Sequence, residues 1–287
     1  MPALDNGTRI PETGDVFTMS RLAGYSRILI GRYRRMLPVR WLGETASFVS
    51  SAYQNEGSDI VHNGEAWLLR ATAAAGFHVG MDVGANFGSW VSLAARNWPA
   101  CRFHAFEVAE PTFQRLSMNL GCAGLSSRVT LNCSGLSDHR HREDIFYYPE
   151  HPEVTSDRHR HPDNNVIRLP ATFQAGDDYI VQAGIDRIDF LKIDVEGSEY
   201  KVLKGFERAL QSNTIQCIQF EYGAFSIDTR ILLCDYYALL GDKYWIGKIY
   251  PSYVEFLEYD WRMEDFRFAN YCCVLRSRPD LRRLLET

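Results

Sequence analysis

No apolar run in this 287-residue chain approaches the ~18–20 residues needed to cross a bilayer, so no membrane span is expected. The opening stretch, Met1 to Ser20, lacks the charged-then-apolar layout of a secretory signal. Basic charge is also scarce. With 31 Lys and Arg against 36 Asp and Glu, the formal net charge is −5, which supplies no global field for a polyanion, and no nucleic-acid partner is expected. Cysteine is present but unpaired in pattern: seven residues, an odd number, without the spacing of a disulfide framework or a zinc site. They read as free thiols, with Cys272-Cys273 in a core strand and the cytoplasm as the simplest location.

What remains is ample material for a core, with 46% hydrophobic and 23% charged residues. Residues 1–60 read as a partly helical, basic N-terminal extension, loose up to about 18 and helical from Met19 to Leu37-Pro38. The segment 21–40 carries Arg21, Arg27, Arg32, Arg34, Arg35 and Arg40 among Leu22, Ile28, Leu29, Ile30, Tyr33, Met36 and Leu37. That composition suits a solvated helix face packed on the main domain, and equally a peripheral membrane or protein contact.

Residues 61–287 read as one domain. A helix from Glu65 to Ala75 ends at Gly76, and strands then alternate with helices: strands at 77–83, 102–107, 128–133, 188–194 and 214–221, with helices at 90–97 and 111–120. This rhythm predicts a Rossmann-like α/β fold, a mostly parallel doubly wound sheet with ligand at the carboxyl ends of its strands. Two parts break it. Residues 145–148 and 166–169 read as strands around a long polar loop insertion at about 149–164, followed by a helix from Ala171 to about Ala183. Strands at 244–250, 253–259 and 270–275 have no helices between them and close the sheet antiparallel.

The most informative stretch is Met81-Asp82-Val83-Gly84-Ala85-Asn86-Phe87-Gly88, where a strand passes through a glycine-bearing turn into a helix. A dinucleotide fingerprint starting at Gly84 would need glycine at 86 and 89, which hold Asn86 and Ser89. The Asp82 carboxylate would also repel a pyrophosphate, whereas it suits a cationic amino-acid cofactor. Glu107 ends the second strand, where a carboxylate can accept both ribose hydroxyls of an adenosine. Together these favour S-adenosylmethionine over NAD. A nicotinamide-dependent oxidoreductase and a non-catalytic S-adenosylmethionine-binding subunit of a larger assembly remain as alternatives.

Asp82 to Gly88, Phe106-Glu107 followed by Pro111, Leu136-Ser137-Asp138, and Ile188 to Glu199 (IDFLKIDVEGSE) resemble the successive blocks of the FkbM-type methyltransferases over roughly residues 64–276. The resemblance implies a seven-stranded class I fold and O-methyl transfer to a sugar, glycan or other natural product. It places Asp82, Gly84, Ala85, Asn86 and Gly88 around the methionine portion, Glu107 at the ribose, and the turn Leu136 to Asp138 at the adenine. Val108-Ala109-Glu110 stand where the family often has proline soon after the glutamate.

Methyl transfer requires a positioned acceptor and a route for its proton. Asp194, at the end of the fourth strand with Lys192 on the same side, is the first candidate for the acceptor-side carboxylate, and Glu196 in the following turn the second. His151, His159 and His161 crowd the polar loop; His159 is a third candidate should the loop close over the acceptor, although a solvated surface loop is the simpler reading. Catechol-type methyltransferases hold Mg²⁺ with carboxylates ending the fourth and fifth strands and an adjacent amide. Here Asp194 and Glu221 match the carboxylates, but Tyr222 replaces the amide and Gly197 a lysine. Mg²⁺ is therefore not favoured, and no metal ligand is assigned.

Overall fold

A computed structural model describes residues 13–159 and 165–286, with residues 13–22 described by backbone alone. The expected loose start of the chain, through residue 12, and His161 lie outside the described residues. The chain divides into two compact units, Met1–Gln54 and Asn55–Thr287.

The first unit holds helices α1 (Thr13–Tyr33) and α2 (Leu37–Tyr53), the second opening with Pro38 in its first turn. Helical structure thus resumes directly after the expected stop, because proline is tolerated where the first-turn N–H has no helical partner. α2 has no buried residue, and Ile28, Leu29, Leu37, Trp41 and Phe48 are all exposed.

The second unit starts with α3 (Glu65–Ala71) and then alternates: β1 (Val79–Val83), α4 (Ser89–Asn97), β2 (Arg102–Phe106), α5 (Glu110–Cys122) and β3 (Val129–Asn132). Three strands follow, β4 (Gly135–Ser137), β5 (His141–Tyr147) and β6 (Ile167–Ala175). The alternation resumes with α6 (Gly176–Ala183), β7 (Ile188–Ile193), α7 (Glu199–Gly205), α8 (Glu207–Gln211), β8 (Ile215–Tyr222), α9 (Phe225–Thr229) and α10 (Leu233–Leu240). The chain ends in β9 (Tyr244–Tyr250), β10 (Tyr253–Phe256), β11 (Ala269–Leu275) and α11 (Pro279–Leu285).

The main sheet has eight strands in the order β10-β9-β11-β8-β7-β1-β2-β3. β8, β7, β1, β2 and β3 run parallel, whereas β11 and β9 pair antiparallel, as expected of a doubly wound sheet closed by its last strands. β10 is the strand expected at 253–259, ending at Phe256; by a tight hairpin on β9 it makes an eighth, edge strand where the family resemblance implies seven. β7 is buried along its whole length. Its Leu191 and Ile193 join Met81, Ile218 and Phe220 in one core layer; Phe190 joins Trp90, Trp98 and Phe103 in the other. A strand covered on both faces must be apolar throughout, and that leaves Asp189 and Lys192 as the exceptions that need partners. Asp189 finds them in the N–H groups of His78 and Val79 at 2.7 and 3.0 Å, fixing the start of β1.

β4, β6 and β5 form a separate three-stranded sheet. Two expectations change here. Residues 171–175 continue β6 instead of starting a helix, because they pair with β4 on one side and β5 on the other. Leu136 lies in the strand β4 and not in a turn, for the same reason.

Candidate active site

A cavity of about 530 Å³ opens at the carboxyl ends of β1, β2, β7 and β8. Its floor forms where two loops meet. Asp194 donates its N–H to Val83 O at 2.9 Å, while Gly84 and Ala85 donate theirs to Phe106 O at 3.0 and 2.8 Å. Gly84 has φ of +83°, and a Cβ on it would lie 1.7 Å from Asp194 O. The glycine is therefore required for loop-on-loop packing beneath the cavity, a different reason from close approach to a ligand.

Gly84, Ala85, Asn86, Trp90, Glu107 and Leu136 line one side. Glu107 is fixed by two backbone donors, Asn86 N–H to Oε2 at 3.0 Å and Ala109 N–H to Oε1 at 2.9 Å. Burial nonetheless pushes its carboxyl up to about 7. Asn86 sits in the left-handed region at φ 46°, a conformation asparagine tolerates. Asn86 Oδ1 and Trp90 Nε1 are buried polar atoms without a partner among the described residues. One acceptor and one donor in a cavity wall suit a zwitterionic ligand end.

Opposite them stand Asp194, Glu196 and Glu221, with a carboxylate oxygen from each lying within 4.8 Å of the others. The turn that presents Glu196 is held by the buried Glu199, whose Oε1 accepts the N–H groups of Val195 at 3.1 Å and Gly197 at 2.9 Å. Burial raises Glu199 to about 7. Behind Asp194, the buried Lys192 ammonium lies 3.0 Å from Asp194 Oδ2 and 3.3 Å from Asp82 Oδ1. Burial opposes that charge, but Asp194, Asp82 and Glu65 outweigh it and hold the lysine above its ordinary range. Glu65 is itself bonded to Asn63 at 2.7 Å and to Gln219 at 2.6 Å. Residues 152–157 cover the cavity, and Asp157 ties them to α7 through Lys201 at 2.7 Å and Ser198 at 3.1 Å.

A model of the FkbM methyltransferase domain matches residues 82–236, more than half of the chain. The chain belongs to the FkbM methyltransferase family. Among its relatives is the AMB antimetabolite synthetase AmbE of Pseudomonas aeruginosa, 30% identical over 200 residues, which cover 58% of this chain and 9% of AmbE. The 31-O-demethyl-FK506 methyltransferase FkbM of Streptomyces tacrolimicus is 30% identical over 155 residues, 45% of this chain and 59% of that protein. The hexuronic acid methyltransferase AglP of Haloferax volcanii is 28% identical over 155 residues, 54% of this chain and 60% of that one. A methyltransferase FkbM from Methylobacillus flagellatus of known structure has 20% identity and a TM-score of 0.43 over 68% of this chain and 43% of that one. The chain spans less than two thirds of each of these relatives.

Within this FkbM domain the expected site residues separate. Gly84, Ala85, Asn86, Glu107, Leu136, Asp194 and Glu196 line the cavity. Three expected cofactor residues stand off its wall. Asp82 is fully buried and pairs with Lys192 beneath the floor, where burial raises it to about 6 despite the lysine. The like charge that would repel a pyrophosphate therefore comes from the cavity carboxylates and not from Asp82. Gly88 caps α4 against Leu116, and Asp138 turns outward to His139 at 2.7 Å. His159 is also off the wall: its ring packs against Phe146 and Tyr148, with centroids at 5.5 and 6.2 Å.

Sequence reasoning gave Glu199 no role beyond the motif and did not single out Trp90 or Asp157. Glu199 had a signal, an acid at the first position of a helix closing a V-E-G turn. Trp90 and Asp157 had none.

Proposed function

We propose that the chain transfers a methyl group from S-adenosylmethionine to a hydroxyl oxygen of a sugar, glycan or other hydroxylated natural product. The observation that carries this reading is the division of one cavity between a buried adenosine-type carboxylate, Glu107, and a facing carboxylate group at the ends of β7 and β8. Nine carboxylates line the cavity (Asp59, Glu65, Glu107, Glu143, Glu153, Asp157, Asp194, Glu196 and Glu221) against two lysines, Lys192 and Lys201. Such a wall favours a sulfonium cofactor and disfavours a pyrophosphate.

Glu107 accepts the ribose hydroxyls, while Asn86 and Trp90 meet the methionine end. The acceptor oxygen attacks the methyl carbon in line as the carbon–sulfur bond breaks, and S-adenosylhomocysteine leaves. The hydroxyl proton passes to a carboxylate, with Asp194 first and Glu196 second. The names of FkbM, a 31-O-demethyl-FK506 methyltransferase, and AglP, a hexuronic acid methyltransferase, support an oxygen acceptor. We also infer that residues 21–40 make a peripheral contact with an anionic membrane surface, since Arg27, Arg32, Arg34, Arg35 and Arg40 occur there with exposed Ile28, Leu29 and Leu37.

The test is calorimetry with S-adenosylmethionine and with NAD, followed by labelled-methyl transfer over nucleotide sugars, oligosaccharides and hydroxylated natural products. Binding of the first ligand alone, with label appearing in an O-methyl product, is the expected result. NAD binding alone would replace this reading by the oxidoreductase, and S-adenosylmethionine binding without transfer to any acceptor by the non-catalytic subunit.

A further inference from the structure

Residues 152–157 cross the cavity between β5 and β6 as a single 3₁₀ turn, Pro152–Val154, and a short irregular piece. Among the described residues none of the six joins a hydrophobic core, and Pro152 and Val154 are only half-buried. Polar contacts fasten the roof. Ser156 exchanges backbone hydrogen bonds with Phe146 of β5, its N–H donating at 3.4 Å and its O accepting at 2.9 Å. The next two residues reach the opposite wall. Asp157 Oδ2 accepts from Lys201 Nζ at 2.7 Å and from Ser198 Oγ at 3.1 Å, and Arg158 Nη1 donates to Asp228 O of α9 at 2.6 Å. Burial opposes the Asp157 charge, but Lys201, Ser198 and Arg158 outweigh it and hold the carboxyl below its ordinary range. A segment fastened in this way, with few apolar contacts, opens before the rest of its domain.

The wall that Asp157 grips carries a strained turn. Glu196 stands in the left-handed region at φ 55°, followed by Gly197 at φ 100°. A glutamate keeps that backbone only where its surroundings over-determine it. Glu199 clamps the turn from within through the N–H groups of Val195 and Gly197, and Ser198, the next residue along, is bonded to Asp157 in the roof. We propose that Asp157 is a positioning residue: by drawing the roof onto Ser198 and Lys201 it closes the cavity and, in the same step, fixes the turn that presents Glu196. When the clasp parts, the roof lifts and the turn loses a support, so Glu196 is aligned only over an enclosed ligand. The ion pair to Lys201, whose side chain is 43% exposed, contributes little by itself, which lets the clasp open without unfolding the sheet. The inference rests on the methyl-transfer reading only for what the cavity holds; enclosure would keep water from the reacting carbon and commit the bound acceptor.

Hydrogen exchange on the full chain reads the clasp without turnover. In Asp157→Asn, the amides of 154–156 and of 195–197 should exchange about tenfold faster than in the parent, while those of β1 and β7 keep their protection. Lys201→Met, which breaks the clasp from α7, should act on the same two segments, and Asp157→Glu should restore most of the protection. Stopped-flow tryptophan fluorescence with S-adenosylhomocysteine supplies the second readout. Association and dissociation should both quicken about threefold or more in Asp157→Asn, with Kd kept within about twofold, the signature of a door and not of a lost contact. Parental exchange at both segments in Asp157→Asn and Lys201→Met overturns the proposal, as does faster exchange spread over the whole sheet, or a weakened Kd with an unchanged association rate. Faster exchange confined to the two segments in a chain that binds no S-adenosylhomocysteine would leave the clasp standing and remove the methyl-transfer reading.

Discussion

Lys192 is the residue on which the two sides of the floor depend. Its ammonium is the counterion of the fully buried Asp82 and a partner of Asp194. Lys192→Met keeps the volume and removes the charge, leaving Asp82 buried without compensation. Urea unfolding should show a loss of about 3–5 kcal/mol. Asp82, already raised to about 6, can escape by taking a proton, so the deficit should be smaller at pH 5 than at pH 8. Equal deficits at both would show that the pair is not the cause.

Glu107 gives a second residue-scale prediction, with a definite sign. Its folded pKa of about 7 exceeds the ordinary 4.5, so its contribution to stability in the ligand-free protein is full below about 4.5 and is lost as pH rises through about 7. Ribose hydroxyls donate to the carboxylate form, so ligand affinity should move the other way and rise from pH 6 to pH 8. Calorimetry should find that Glu107→Gln weakens S-adenosylmethionine roughly ten- to a hundredfold, as expected for a lost charge-assisted hydrogen bond. The variant should also flatten the pH dependence.

At the scale of elements, the alternation of β1, α4, β2, α5 and β3 was legible because each strand is a short apolar run bounded by glycine, proline or polar residues. That Glu107, Asp194 and Glu196 line one cavity was legible because they end or closely follow strands in a parallel sheet. What escaped was set by pairing across the chain. Residues 171–175 have a helix-compatible composition, yet β4 and β5 claim their backbone hydrogen bonds. Asp82 was read as a cavity residue because strand ends face ligands, and only the third dimension shows that Lys192, 110 residues later, has taken it inward. Gly84 was read as a glycine beside the cofactor, whereas its packing against Asp194 O excludes a Cβ whether or not a ligand is bound. Gly84→Ala should therefore lower the melting temperature as well as cofactor binding, with roughly 1–3 kcal/mol of overpacking added to the strain of an alanine at φ +83°. An alanine variant of parental stability that merely binds the cofactor less tightly would restore the ligand explanation.

At the scale of the whole molecule, the two units differ in what they expose. No helix among the described residues is long and apolar enough to cross a membrane. The first unit nonetheless presents Trp41, Phe48 and Leu37 to solvent beside a stretch, residues 16–43, with no acidic residue. Attraction of about 1 kcal/mol per arginine near an anionic surface makes a salt-sensitive contact. Sedimentation with phosphatidylserine vesicles should carry the protein down at low salt and release it at high salt. Replacing Arg34, Arg35 and Arg40 by glutamine should weaken the association, and equal binding to neutral vesicles would refute the electrostatic part.

The three-stranded sheet has a further consequence. Among the described residues, β4, β5 and β6 form ladders with one another, β5 adding a single bridge from Phe146 to Ser156, while the main sheet closes without them. The segment between β5 and β6 contributes residues 152–157 to the roof of the cavity, and its register is set by its own hairpin partners. It is a cassette: lengthening or rewriting that roof leaves the order β3-β2-β1-β7-β8 and its ladder of hydrogen bonds untouched. Under the proposed function, editing this one excursion of the chain would change the acceptor while Asn86 and Glu107 keep their places on the opposite wall.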